Sequence, residues 1–177
     1  LLIERNVVSA GEVREYLDFM DSRGEHVGAE IIAKAWTNPD FKKQLMTDGT
    51  ATVAEMGVPM AGAELIVVEN TEDVHNLVVC TLCSCYPRTI LGLPPDWYKS
   101  KVYRSRAVHE PRAVLREFGT ILADHVSVRV HDSNADMRYL VMPKRPAGTE
   151  GWNILQLAEL VTRDSMIGIA GAQQPPV

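Results

Sequence analysis

This sequence predicts an α+β chain, with helices first and strands after. Helix caps and 3.6-residue apolar periods fill the first third. Short β-branched runs and alternating apolar positions come later. The two patterns rarely alternate as strand–helix–strand units, which argues against a doubly wound parallel sheet. The chain has 177 residues, and at about 150 residues per domain that suits one core with an extra arm. We expect a helical N-terminal arm over 1–50 and the main α+β domain over 51–177.

The elements follow in order. Ser9-Ala10-Gly11-Glu12 is a capping box, with a hydroxyl at the N-cap and a carboxylate three residues on. Val13, Tyr16, Leu17 and Met20 then form one helical stripe, and Gly24 is a stop. A second helix is expected from His26 to Trp36. Asn38-Pro39 pairs an N-cap with proline at the first helical position, so a third helix runs from there towards Asp48-Gly49. A short fourth lies between Thr50 and Met56, ended by Gly57. Leu65-Ile66-Val67-Val68 and Leu77-Val78-Val79 read as strands. Pro94-Pro95 breaks the chain, and Asp96-Trp97-Tyr98 opens a helix. Pro111 to Phe118 is helical and stops at Gly119. Val126, Val128 and Val130 alternate as a half-buried strand, with Tyr139 to Met142 expected as its partner. The stretch from Arg145 to Gly151 is a loop, Ile154, Leu157, Ala158 and Val161 form a helical stripe, and Met166 to Ala170 is expected as a last buried strand.

Composition excludes several classes. Hydrophobic residues are 46% and charged residues 23%, ordinary globular usage that rules out disorder, collagen and coiled coil. No apolar run approaches the roughly 20 residues of a membrane span, so no membrane role is expected. The net charge of −5 argues against a nucleic-acid binder. Lys99, Lys101, Arg104, Arg106, Arg112 and Arg116 form a local basic cluster, read as a solvated or subunit-facing surface. Trp36 and Trp97 are read as core or interface anchors. The chain begins at Leu1 without Met, so upstream residues are expected, and its visible start has no signal-peptide pattern.

The cysteines carry the functional signal. All three fall in Cys80-Thr81-Leu82-Cys83-Ser84-Cys85. An odd, tightly packed count is a poor disulfide framework and points to a metal or redox site in a reducing compartment, hence the cytoplasm. Two thiolates flank one residue in Cys83-Ser84-Cys85, so a metal held by both lies close to the backbone nitrogens of Ser84 and Cys85. Deprotonated, those amides complete a planar set of two sulfurs and two nitrogens. Cys80 then reaches the metal from below, leaving a sixth position open. Amide deprotonation demands a strong Lewis acid, which favours trivalent low-spin cobalt or iron over zinc. An open position lets the metal activate water or polarise a substrate. A structural zinc site needs a fourth ligand, and His26, His75, His109, His125 and His131 show no ligand spacing to the loop. An iron–sulfur cluster normally takes four cysteines. Redox-sensing thiols and inert buried thiols are the remaining readings.

Val79-Cys80-Thr81-Leu82-Cys83-Ser84-Cys85 resembles the metal-claw motif V-C-[ST]-L-C-S-C of the nitrile hydratase α subunit. The resemblance extends over Lys34 to Phe41, Asp48-Gly49-Thr50, Leu91 to Lys99, Arg138-Tyr139 and Arg145 to Trp152, and so over nearly the whole chain. It implies a layered α-β-β-α core of that family's type in residues 51–177. It implies one non-corrin cobalt(III) or non-haem iron(III) ion, held by sulfur from Cys80, Cys83 and Cys85 and by the Ser84 and Cys85 amides. Thr81 at the second claw position looks like the cobalt pattern. In the family the residue matching Cys83 is a cysteine sulfinic acid and that matching Cys85 a cysteine sulfenic acid. The implied reaction is a lyase's hydration of a nitrile to the amide. Cys85 would attack the nitrile carbon through its sulfenate oxygen, or activate a water that does, while the Ser84 hydroxyl orients substrate or water.

The resemblance also implies a heteromer. A β subunit, in one chain or split into two, would supply arginines to the oxidised cysteines, and an activator or metallochaperone would deliver cobalt. The isolated chain would then be inactive, and a role in assembly or metal transfer alone is the non-catalytic alternative. The helical arm is read either as a clasp for the partner or as a local hairpin on its own core.

One departure lies beside the claw. Cobalt-type nitrile hydratases usually continue C-Y-P-W-P, whereas this chain reads Cys85-Tyr86-Pro87-Arg88-Thr89. Arg88 either faces solvent or marks a pocket rebuilt for a polar or anionic substrate, since guanidinium brings five donors and a fixed charge. Two variants of the reading follow. One is the cobalt subunit of a thiocyanate hydrolase, which this chain also resembles at Tyr86-Pro87-Arg88. The other is a nitrile hydratase for a larger polar nitrile such as the nucleoside toyocamycin. Leu91 to Pro95 and Arg145 to Gly151 favour nitrile hydratase.

Overall fold

The expected opening run of helices holds, but helices also separate the first two strands from the last two and close the chain. The structure, a computed structural model, describes residues 3–5 and 7–176. Helix α1 (Ala10–Asp21) starts at the predicted capping box: Ser9 N donates to Glu12 Oε2 at 2.7 Å, and Glu12 N donates to Ser9 Oγ at 3.0 Å. Its stripe residues Val13, Tyr16 and Leu17 are all exposed; the Met20 side chain lies outside the described residues. Helix α2 (Glu25–Thr37) instead buries Ile31, Ile32, Ala33 and Ala35 in the core. Helix α3 (Pro39–Thr47) is capped by Asn38, whose Oδ1 accepts from Phe41 N at 3.0 Å, with proline at the first turn as predicted. Helix α4 (Gly49–Glu55) is capped by Asp48.

The strands are β1 (Glu64–Glu69), β2 (Val74–Val79), β3 (Ser127–Asp132) and β4 (Met137–Met142). They form two parallel pairs, β1 with β4 and β2 with β3. The expected pairing of Tyr139–Met142 with the Val126–Val130 strand is therefore wrong. The link from Ser133 to Asp136 does not close a hairpin; it carries the chain from one sheet to the other. Ser133 N donates to Val79 O at 2.7 Å, at the end of the second pair. Asn134 Oδ1 accepts from the backbone of Asp136 and Met137, making an Asx turn. Asp136 O then accepts from Glu64 N at 2.7 Å, at the start of the first pair.

Helices cover both outer faces. Helices α3 and α4 pack on β1, and the two sheets meet chiefly between β2 and β4. On the other side α7 (Lys101–His109) packs on β2 and α8 (Pro111–Glu117) on β3. This is the layered α-β-β-α arrangement. The short helices α5 (Arg88–Leu91) and α6 (Asp96–Lys99) bridge from the cysteine loop to α7. Trp36 Nε1 donates to Pro143 O at 3.0 Å, and Trp97 packs edge-on against Tyr103 with ring centroids 4.9 Å apart, so both anchor packing.

The chain closes with α9 (Ile154–Ala158) on α2 and α10 (Arg163–Ile167). The expected last strand over Met166–Ala170 is thus also wrong. Thr162 and Ser165 form a reciprocal capping box, and Gly168, at φ +89°, ends the helix. Its apolar residues are buried because α10 wedges between α2, β2 and β4. Among the described residues no helix is long and apolar enough to cross a membrane.

Candidate metal centre

Strand β2 delivers the cysteines. Its last five residues are all buried, so the chain leaves the core at Cys80, itself fully buried. The loop then turns outward. Thr81, Leu82 and Cys83 are exposed, while Ser84 and Cys85 are half-buried. Cys83 N donates back to Cys80 Sγ at 3.3 Å, closing the turn. The Cys80 and Cys83 sulfurs lie 3.5 Å apart, and those of Cys83 and Cys85 3.3 Å apart. All three thiols are free and mutually within 4.8 Å.

Neighbouring elements fix the loop. Asp132, opposite Val79 in the β2–β3 register, accepts from Thr81 N at 2.9 Å and from Thr81 Oγ1 at 2.6 Å. Tyr98 in α6 donates its hydroxyl to Cys85 O at 2.8 Å, and Tyr103 in α7 donates to Val78 O at 2.7 Å. Arg104 Nη1 reaches Thr81 O at 3.4 Å. The apolar half of each tyrosine sits in the core, and only its hydroxyl serves the loop.

The thiols differ electrostatically. Hydrogen bonds from Cys85 and then Cys80, assisted by the Ser84 and Cys85 backbone amides, draw the Cys83 thiol down to about 7. Burial, followed by hydrogen bonding with Cys83, pushes Cys85 up to about 12. Cys83 is therefore the ready thiolate, and Cys85 keeps the proton it shares with that sulfur.

These residues fit a metal. Three soft sulfur donors converge on one point, and the two amides that face the Cys83 sulfur are those of Ser84 and Cys85. That donor set suits a thiophilic, strongly Lewis-acidic ion. Cys80 closes the site from inside, and the exposure of Cys83 leaves the outer side accessible.

Arg88, at the start of α5, stands apart from the sulfurs. It is exposed and lines a neighbouring cavity of about 220 Å³ with Tyr16, Met60, Tyr86 and Arg138. The residue pattern brought Cys80, Cys83, Ser84, Cys85 and Arg88 into view, but not the supports Asp132, Tyr98, Tyr103 and Arg104. Tyr98 had a signal through its place in Asp96-Trp97-Tyr98-Lys99, and Arg104 was noted only as part of a basic surface cluster; Asp132 and Tyr103 had none.

Known proteins resemble nearly the whole of this chain. The chain is 49% identical over 177 residues to the low-molecular weight cobalt-containing nitrile hydratase subunit alpha of Rhodococcus rhodochrous, covering 99% of this chain and 86% of that one. A recombinant thiocyanate hydrolase comprising partially modified cobalt centres superposes with a TM-score of 0.91 at 42% identity, over 99% of this chain and 90% of the other. A doubly substituted Fe-type nitrile hydratase from Comamonas testosteroni Ni1 superposes at 0.90 with 42% identity, over 98% and 86%. The sequence model of the family described as nitrile hydratase, alpha chain, matches residues 1–170, and this chain belongs to that family.

Proposed function

We propose that this chain is the metal-bearing subunit of a nitrile hydratase that converts a nitrile to its amide. The convergence of the Cys80, Cys83 and Cys85 sulfurs within 4.8 Å carries the reading. Those sulfurs and the Ser84 and Cys85 backbone nitrogens would hold one cobalt ion, the metal named in the Rhodococcus rhodochrous relative and in the thiocyanate hydrolase structure. Bound there in the trivalent state, cobalt supplies the Lewis acidity that makes a nitrile carbon electrophilic.

The chain's own residues do the rest. Cys83 would be a sulfinate and Cys85 a sulfenate in the mature protein. The Cys85 oxygen would take a proton from a water that attacks the nitrile carbon and return it to the nitrile nitrogen, or would attack that carbon itself, its bond to sulfur then breaking as a water oxygen replaces it; either way the imidate released tautomerises to the amide. The Ser84 hydroxyl, half-buried between the two cysteines, orients the incoming group. Tyr98 fixes the carbonyl of Cys85 and so the direction of its side chain. Oxidised cysteines carry negative oxygens that need charge-assisted donors, which a β subunit, in one chain or two, would supply as arginines. An activator protein would assist cobalt delivery. In this reading residues 1–50 lead into the metal-binding domain of 51–177, but only α1 stands as an arm: its stripe of Val13, Tyr16 and Leu17 is exposed, whereas α2 and α3 pack into the core of that domain. Free thiols that function as ligands suit the reducing cytoplasm.

A second reading is favoured by one observation. Arg88 and Arg138 line the same small cavity beside the claw, an arrangement suited to an anionic substrate such as thiocyanate. The test assays the purified complex with a neutral cyano-heterocycle and with thiocyanate, alongside elemental analysis and intact mass. Nitrile hydration with one cobalt per chain and three added oxygens supports the main reading. Turnover of thiocyanate alone selects the second. Absence of both cobalt and iron from protein produced with both metals supplied overturns both.

A further inference from the structure

The basic cluster of Lys99, Lys101, Arg104, Arg106, Arg112 and Arg116 has no part in the reaction proposed above. Its members are not equivalent. Lys99 pairs with Asp96 at 2.8 Å, and Arg106 is held by Glu110 and Glu117. Arg112 donates to the carbonyls of Ala123, Asp124 and Val126. Lys101, Arg104 and Arg116 have no carboxylate partner among the described residues. Lys101 and Arg104 line one cleft of about 400 Å³, together with Thr81, Ser105, Val108 and His109.

The cleft is built on a single helix stripe. Lys101, Arg104, Ser105 and Val108 stand at i, i+3, i+4 and i+7 of α7 and so share a face. Two like charges three residues apart repel each other, and no acid among the described residues pairs with them. Arg104 Nε is buried without a hydrogen-bond partner, which is costly unless an acceptor arrives. An exposed apolar group stands beside the charges in the cleft: Val108 is 45% exposed. Across Thr81 the surface continues to Leu82, which is 82% exposed, and to the cysteine loop itself.

We propose that this cleft receives an acidic segment of the partner subunit, with an Asp or Glu carboxylate seated between Lys101 and Arg104. The inference rests on the heteromeric reading above and adds to it the side of the claw the partner grips and the chemistry of the grip. A guanidinium edge is shaped for a carboxylate. The apolar rim suits a protein segment better than a free anion. Two cations on a chain of net charge −5 do not make a nucleic-acid surface. Because Arg104 also reaches Thr81 O, the seated carboxylate would order the residue that bridges the cleft and the claw.

Lys101 is the residue to change. It is exposed and occupies the first position of α7, where an acidic side chain favours the helix, so Lys101→Glu is not expected to harm folding. The chain is purified with the subunit that co-purifies with it, and the dissociation constant is measured at 50 and 300 mM NaCl. Lys101→Glu is expected to raise that constant at least tenfold at low salt and much less at high salt, and Lys101→Arg to leave it within twofold. A photocrosslinker at Ser105 is expected to capture a partner peptide containing Asp or Glu. Unchanged affinity of Lys101→Glu in a complex that still forms overturns the cleft assignment alone, as does a crosslink to a second copy of this chain or to nucleic acid. If the unaltered chain brings down no second subunit, the heteromeric reading fails and this proposal fails with it.

Discussion

Asp132 is the residue whose side chain most directly sets the claw's position. It is exposed and makes no ion pair among the described residues, yet both its oxygens are taken by Thr81. The contact joins residues 51 apart in sequence, so the thiol spacing gave no hint of it. Groups that orient metal ligands commonly account for ten- to hundredfold in affinity or activity, as an order of magnitude. Asp132→Ala is therefore expected to weaken cobalt retention by about tenfold or more. It should cost little stability, because the carboxylate is not part of the core. A chelator competition titration checks the first expectation and a thermal melt the second. Retention equal to that of the unaltered chain would mean that β2 and the two tyrosines position the claw without Asp132.

At the scale of elements, α10 shows how a local reading fails. Met166, Ile167 and Ile169 form a short apolar run that reads equally as a buried strand or a buried helix. Burial on several sides, by α2, β2 and β4, removes the polar face that would have revealed the period. The strand pairing was hidden for a related reason, since the alternation in β3 shows a half-buried strand but not its neighbour. The helices α1, α3 and α4 were legible because their caps are written locally, and the metal loop because six consecutive residues carry all three thiols.

The end of α10 gives a sharp test of how it docks. Gly168 sits at φ +89°, and a Cβ there would collide with the backbone carbonyl of Asn76 in β2. Its own carbonyl accepts from His75 Nε2 at 2.6 Å. Gly168→Ala should therefore cost about 3 kcal/mol or more, combining left-handed strain with a clash that no side-chain rotation relieves. Gly148→Ala, at φ +76° with open space around it, should cost about 1 kcal/mol from strain alone. Urea denaturation of the two variants separates the contributions; equal losses would show that α10 shifts to admit the methyl.

For the molecule as a whole, the buried His75 and the half-buried His131 set the acid limit of stability. Burial lowers His75 from its ordinary 6.5, its hydrogen bond to the Gly168 carbonyl opposing that only in part. His131 is also lowered, by burial first and then by the nearby Arg129 charge. Its Nε2 lies 2.9 Å from Asn76 Oδ1, and its ring stacks at 4.9 Å on Tyr139. Both rings are thus neutral donors that tie the sheets to α10 and to each other. A histidine with a depressed folded value adds stability that is complete above its unfolded value of about 6.5. That stability is lost as pH falls through the folded value, because the unfolded chain takes up the proton first. The slope is about 1.4 kcal/mol per pH unit for each proton by which the states differ. The other groups whose values the fold moves lie outside the interval between pH 6 and 5. Cys83 titrates higher, at about 7, and the exposed carboxylates of Glu12, Asp96 and Glu117 are shifted below their ordinary values of 4.5, 3.8 and 4.5. Unfolding free energy is therefore expected to fall between pH 6.5 and 5. In His75→Gln/His131→Gln, where each amide can still donate, it should fall less steeply although the starting value is lower. Urea titrations at half-unit steps of pH measure both slopes, and parallel curves for the two proteins would place the acid sensitivity elsewhere in the fold.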